Sequence, residues 1–184
     1  YNWLRKKNRL YEDQLNHLRK YKVTFQNQLS ICFPGYLDLF KDGYSDIPMT
    51  ILKKYPHPDL LKNKKAETVA RYLEKNTCHT HKVSLEYALK IIGFAKKTYP
   101  GCEKDDVEVE IFKILLDKVI ETQRECEKTL NEMITVASTL EEYRYISSID
   151  GIGPNLAARI IAEIGDIEEF KSREALVALS LIHI

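Results

Sequence analysis

No run of apolar residues in this 184-residue chain approaches the length of a membrane span, which excludes a transmembrane helix from the reading. Neither a methionine nor a basic-then-apolar segment opens the chain at Tyr1, so no secretory signal is read. The expectation is a cytoplasmic protein truncated at its N-terminus. Cysteine is sparse: Cys32, Cys78, Cys102 and Cys126 include no CxxC pair, which argues for reduced thiols over a disulfide framework, with Cys126 expected in a helix core. There is no P-loop and no Ser-His-Asp arrangement, and no segment reads as a convincing strand. What is present is ordinary for a soluble, well-cored protein of one or two domains, with 44% hydrophobic and 30% charged residues.

The net charge of +1 conceals an asymmetry. Residues 1 to 30 carry seven bases (Arg5, Lys6, Lys7, Arg9, Arg19, Lys20, Lys22) against Glu12 and Asp13, whereas residues 103 to 132 carry ten acids against five bases. Both segments also repeat apolar residues in alternating steps of four and three, which keeps one stripe facing a partner helix. The first grid is Leu4, Asn8, Tyr11, Leu15, Leu18, Lys22, Phe25, Leu29; the second is Phe112, Leu116, Val119, Gln123, Cys126, Leu130, Met133, Ala137, Leu140. The two helices are expected to pack together, within one chain or across a homo-oligomer, guided by their opposite charge. Asn8, Lys22 and Gln123 weaken the seams and are read as register-setting. Two ordinary surface helices on separate faces are the alternative.

Between them the turn formers Pro34-Gly35, Asp42-Gly43, Pro48 and Tyr55-Pro56-His57-Pro58 permit only short helices, placed near Met49 to Tyr55, Ala66 to Lys75 and Ser84 to Tyr99. Leu140 to Ser148 reads as the end of a helix. A further helix is expected from Pro154 to a left-handed cap at Gly165, and Ser172 is read as capping another. The fold class is therefore all-α: long coiled-coil helices with a short-helix insertion, then a part resembling a helix-hairpin-helix element. The divisions read are 1–142, a helical linker region, 143–178, a C-terminal domain start, and 179–184, treated below.

The segment Ile149-Asp150-Gly151-Ile152-Gly153-Pro154-Asn155 carries the functional signal. Glycines at 151 and 153 allow positive φ and leave the backbone bare, so that N–H groups at a helix start can converge on a phosphate oxygen. Ile152 plugs the core, Pro154 suits the first helical position, and Ala157 and Ala158 allow close packing. The candidate nucleic-acid-binding residues are Gly151, Ile152, Gly153 and Asn155 through their amides, with Arg159 and Lys171 as phosphate partners. Binding of this kind is expected to ignore sequence and to weaken steeply with salt. A ligand-free helix-helix corner is the competing reading. A dinucleotide fingerprint would need a third glycine at Leu156 and a preceding strand.

Other constellations carry less. Cys78-His79-Thr80-His81 with Cys102 fits no standard zinc spacing and reads as loop. Asp105, Asp106, Glu108 and Glu110 read as acids favouring the positive end of a helix, not as a Mg²⁺ site. Lys62, Lys64 and Lys65 serve equally as phosphate contacts or a solvated face. No catalytic and no metal-ligating residue is assigned, and tyrosine follows the core grids more than a base-stacking platform.

Ile146 through Pro154, Ala157-Ala158, and Ile161-Ala162-Glu163-Ile164-Gly165-Asp166 running on to Phe170-Lys171-Ser172 closely resemble the C-terminal domain of insertion-sequence transposases of the IS116/IS110/IS902 type. That family joins a RuvC-like acidic domain to a serine-bearing domain and shows a PGIGP…A…EIGD…F pattern here, with Asp150 standing where a proline is common. Phe33-Pro34-Gly35-Tyr36 and Leu52-Lys53-Lys54-Tyr55-Pro56-His57-Pro58 resemble its middle region, so the resemblance covers nearly the whole chain.

The resemblance implies a recombinase of mobile DNA in the prokaryotic cytosol or nucleoid, with DNA and, in some members, a structured guide RNA as partners. In the full enzyme Mg²⁺ is held by RuvC-like carboxylates and a C-terminal serine attacks a DNA phosphate. Both catalytic parts are expected to lie outside this sequence, which is read as a fragment truncated at both ends that binds without cutting and needs no cofactor of its own. The last six residues, Leu179-Ser180-Leu181-Ile182-His183-Ile184, are what CTG TCT CTT ATA CAC ATC encodes, a match to a mosaic-end sequencing adaptor. They are read as an artefact, and Ser180 is not the nucleophile. The alternative function is a non-enzymatic helix-hairpin-helix DNA-binding or repair-accessory module.

Overall fold

The computed structural model describes residues 1–166. In chain order its helices are α1 (Asn2–Cys32), α2 (Asp46–Lys54), α3 (Ala66–Asn76), α4 (His81–Ala95), α5 (Val107–Ala137), α6 (Glu141–Ser147) and α7 (Pro154–Ile164), with 3-10 turns at Leu37–Leu39 and Pro58–Leu60. No strand occurs among the described residues, so the fold is all-α. Two compact units divide the described residues: Tyr1–Leu18 with residues 122–166, and Arg19–Glu121. The expected helix at Ser172 and the segment 179–184 lie outside the described residues.

In the first unit the start of α1 lies against the end of α5 and against α7. Leu4, Met133, Ala137, Ala158, Ile161 and Ala162 form its buried core, flanked by half-buried Tyr11, Leu140, Tyr143 and Ile146. Lys7 reaches Glu132 at 2.5 Å. Because Leu4 meets Ala137 while the later Lys7 meets the earlier Glu132, α1 and α5 run antiparallel here.

The second unit repeats this direction with other residues. Phe25 stacks on Phe112 with ring centroids 5.3 Å apart, and Gln28 donates to the Glu108 carbonyl at 3.0 Å. The turn after α1 follows from Gly35 at φ +74, which sends the chain back so that the buried Tyr36 hydroxyl donates to the Pro48 carbonyl at 3.0 Å. Helices α3 and α4 then pack on each other, with Val69, Ala70 and Leu73 buried on α3 and Ala88, Ile91 and Ile92 buried on α4.

Both heptad grids lie on buried or half-buried positions, as the apolar spacing requires. The polar members, however, find partners outside the seam. Asn8, nearly fully buried, donates to Glu163 of α7 at 2.5 Å, and the Lys22 ammonium sits 4.0 Å from the centre of the Tyr44 ring. Opposite charge contributes the Lys7–Glu132 pair, while Lys6, Arg9 and Lys20 stay exposed. The seam is held mainly by apolar burial.

Two helix ends differ from expectation for identifiable reasons. Helix α4 stops at Ala95, short of Tyr99, because Thr98 turns its hydroxyl onto the Phe94 carbonyl and the chain leaves to place the Gly101 N–H on the Ile31 carbonyl at 2.8 Å. Helix α5 stops at Ala137, and the helix read as ending over Leu140 to Ser148 is a separate one, α6. Ser138 and Thr139 hydroxyls bond the carbonyls of Thr135 and Val136, the backbone at Leu140 turns extended, and α6 starts afresh.

Truncation of Phe112 to alanine removes a fully buried ring from the second unit and is expected to cost about 3–5 kcal/mol in urea unfolding. In the first unit, hydrogen bonds from Lys7 and from the Tyr1 hydroxyl hold the Glu132 and Glu142 carboxyls below their ordinary value of 4.5. A lowered folded value contributes stability that is complete above about pH 4.5 and is lost as pH falls through the depressed values. The urea midpoint is expected to drop on acidification through this window, and Glu132→Gln is expected to flatten the drop.

Candidate nucleic-acid interface

The corner between α6 and α7 is built by a β-turn. The Ile152 N–H donates to the Ile149 carbonyl at 3.0 Å, which closes Ile149-Asp150-Gly151-Ile152. Gly151, at the third position, has φ +88, and no non-glycine residue among those described has positive φ. That combination is the type II arrangement, and only glycine adopts it without strain. Gly153 behaves differently from expectation: its φ of −80 and ψ of 172 are extended backbone, open to any residue. It caps α7, Pro154 occupies the first turn, and the Ala157 N–H bonds the Gly153 carbonyl at 3.0 Å.

The outer face of this corner is open. Gly151, Gly153, Pro154 and Asn155 are all exposed, and an added Cβ at either glycine would meet nothing within 4 Å. Among the described residues, the N–H groups of Gly151, Gly153 and Asn155 make no backbone hydrogen bond. The Ile152 N–H is spent inside the turn, so that residue offers its half-buried side chain as an anchor and not a free amide.

Beneath the corner, Ala157, Ala158, Ile161 and Ala162 face the core, their small side chains letting α7 approach closely. Helix α7 ends at Gly165. Its φ is positive at 76, but ψ of −142 lies outside the expected left-handed helical region, and an added Cβ would stand 2.5 Å from an Arg5 guanidinium nitrogen.

The sequence-derived basic residues fare unequally. Arg159 is paired with the Glu12 carboxylate and lies 5.5 Å from the centre of the Tyr11 ring, while its Nε is buried with no hydrogen-bond partner among the described residues. Lys171 lies outside the described residues. The clamp on Arg159 escaped sequence reasoning because Glu12 is 147 residues away in the chain. Also missed were three exposed apolar side chains bordering the turn: Tyr145, Ile149 and Leu156, at 70%, 55% and 45% exposure. Leu156 was legible in principle, since it falls off the face defined by Ala157, Ala158 and Ile161.

The remaining constellations disperse. His79 faces Asp46 at 3.2 Å, His81 faces Glu74 at 3.1 Å, Cys78 is exposed, and the Cys102 sulfur lies beside Cys32. Asp106 accepts the Glu108 N–H at 3.3 Å, a helix-start role, and Lys62 pairs with Asp59 at 2.6 Å. No group of three or more His, Cys, Asp or Glu side chains is placed to hold a metal among the described residues. No helix among them is long and apolar enough to cross a membrane.

The two glycines separate backbone strain from surface access. Gly151→Ala, forced to positive φ, is expected to cost about 1 kcal/mol in urea unfolding, whereas Gly153→Ala is expected to stay within about 0.5 kcal/mol of the parent.

Residues 143–180 match the family model described as the transposase IS116/IS110/IS902 family, a stretch that contains α7 and the whole glycine corner. Neither the comparison with curated proteins nor that with solved structures returns a match. The similarity to that insertion-sequence transposase family is confined to this stretch of the chain.

Proposed function

We propose that this chain is a part of an insertion-sequence transposase or recombinase that grips a nucleic-acid backbone through the α6–α7 corner without itself cutting. The observation that carries this reading is the exposed edge at Gly151, Gly153 and Asn155, bare of side chains at both glycines, whose N–H groups make no backbone hydrogen bond. Glycine at 153 is demanded neither by its backbone angles nor by neighbouring atoms. Close approach of a phosphate supplies the missing reason. DNA is the favoured ligand, with a structured RNA as the other nucleic acid to be tested.

The Mg²⁺ of the parent family finds no fit in the residues described. At the start of α5, Asp106 accepts the Glu108 N–H and the Glu108 carboxylate accepts from Gln28, so no step through a metal is assigned here. The heptad positions are buried or half-buried within one chain, so homo-oligomerisation through the buried ones requires helices to exchange partners between copies. Arg159 contributes to a phosphate only after leaving Glu12, which makes that carboxylate a competitor for the ligand's position.

The test is binding of a labelled duplex, and separately of a hairpin RNA, by fluorescence anisotropy. Gly153→Ala is expected to lower affinity about tenfold with unchanged stability, the equivalent of one charge-assisted hydrogen bond. Gly151→Val with Gly153→Val is expected to abolish binding. Unchanged affinity in both folded variants would overturn the reading. Glu12→Gln releases Arg159 and is expected to steepen the slope of log affinity against log salt by about 0.9, one further phosphate neutralised.

A further inference from the structure

We propose that Cys32 and Cys102 are an oxidation-closable thiol pair: a modification site at which a low-molecular-weight disulfide converts two thiols into one intramolecular bond tying the end of α1 to the loop before α5. Their sulfurs lie 3.8 Å apart. A disulfide needs about 2.05 Å, a difference that side-chain rotation covers when the backbones are already in register. They are in register here. The Gly101 N–H donates to the Ile31 carbonyl at 2.8 Å, so the residues immediately preceding the two cysteines are joined backbone to backbone.

A second tether acts on Cys102. The imidazole of the fully buried His57 bonds the Cys102 carbonyl through Nε2 at 3.1 Å and accepts the Asp59 N–H on Nδ1 at 3.3 Å. Since Nδ1 is the acceptor, Nε2 carries the proton and donates. Both cysteines belong to the second unit. Cys78 is exposed between α3 and α4, and Cys126 belongs to the first unit, so neither shares this arrangement.

Cys102 is the reachable sulfur, because Cys32 is fully buried. Its thiolate attacks one sulfur of the small disulfide, forms a mixed disulfide and expels one thiolate. Cys32, deprotonated, then attacks the Cys102 sulfur and expels the second. The small disulfide takes up two electrons and the two protons that the protein thiols lose, leaving as two thiols. Burial, reinforced by the neighbouring Cys102 sulfur and by Glu108, pushes the Cys32 thiol up to about 12. Burial raises Cys102 as well, with Asp106 and Glu108 adding to it. Closure is therefore slow at neutral pH and is expected to speed up about tenfold per pH unit while the thiols remain protonated.

The experiment incubates the protein with oxidised glutathione at about pH 8 and follows mass, titratable thiols in denaturant and the proteolytic digest. Expected are a loss of two hydrogen atoms in mass, a fall from four thiols to two, one linked peptide containing Cys32 and Cys102, and a rate independent of protein concentration. The oxidised form is expected to melt at a higher temperature than the reduced form. Cys32→Ser is expected to halt at a mixed disulfide on Cys102. Should that variant not fold, the double variant Cys78→Ser with Cys126→Ser retains only the pair and is expected to go from two thiols to none. Persistence of both thiols in that double variant would overturn the proposal, as would wild-type links through Cys78 or Cys126 or covalent dimers on a non-reducing gel.

Discussion

An apolar stripe repeated every three or four residues along a 31-residue helix cannot remain in water, and the rest of the molecule depends on how α1 buries it. In the first unit Leu4 is covered by Met133, Ala137 and the small-residue face of α7. In the second, Phe25 and Leu29 are buried, with Phe112 stacked on Phe25. Burial of one such side chain is worth roughly 2–3 kcal/mol, whereas the partly exposed Lys7–Glu132 pair is screened by water and contributes little. Charge asymmetry therefore accompanies the pairing of α1 with α5 and does not drive it. What it provides is solubility on the outward faces, where Lys6, Arg9 and Lys20 remain hydrated.

The same burial explains why the corner before α7 is presented to solvent. Helix α7 spends one face, Ala157, Ala158, Ile161 and Ala162, on the core, so the residues that lead into it have no core left to enter. Ile152 is held half-buried and anchors the turn, while the backbone on either side stays uncovered. Tyr145, Ile149 and Leu156, on the elements that flank it in the chain, are exposed apolar side chains. The grip proposed for this corner relies on bare amides, which suit the charge of a sugar-phosphate chain.

Much of this was legible from spacing alone. The heptad steps locate the buried positions of α1 and α5 because a helix repeats every 3.6 residues whatever it packs against. The short helices α2 and α3 begin or end within three residues of the positions read from turn formers. What escaped depends on partners distant in the chain. Asn8 meets Glu163, Lys22 meets Tyr44 and Arg159 meets Glu12, and no local pattern encodes such meetings. The early ends of α4 and α5 rest on Thr98, Ser138 and Thr139 hydroxyls capturing carbonyls, a competition that composition does not reveal. At the corner the glycine pair was visible. That Gly151 alone needs positive φ, and Gly153 does not, required the backbone itself.

Asp150 occupies the second position of the type II turn, where a proline ring would fix φ near the required value before folding begins. An aspartate leaves that rotation free in the unfolded chain, so the turn owes its shape to Ile152 and the flanking helices instead of to intrinsic stiffness. Asp150 is itself exposed and is the one charged residue within 149–155, so it repels any polyanion that approaches. For the proposed nucleic-acid grip this is a built-in repulsion, one that favours rapid release over long residence.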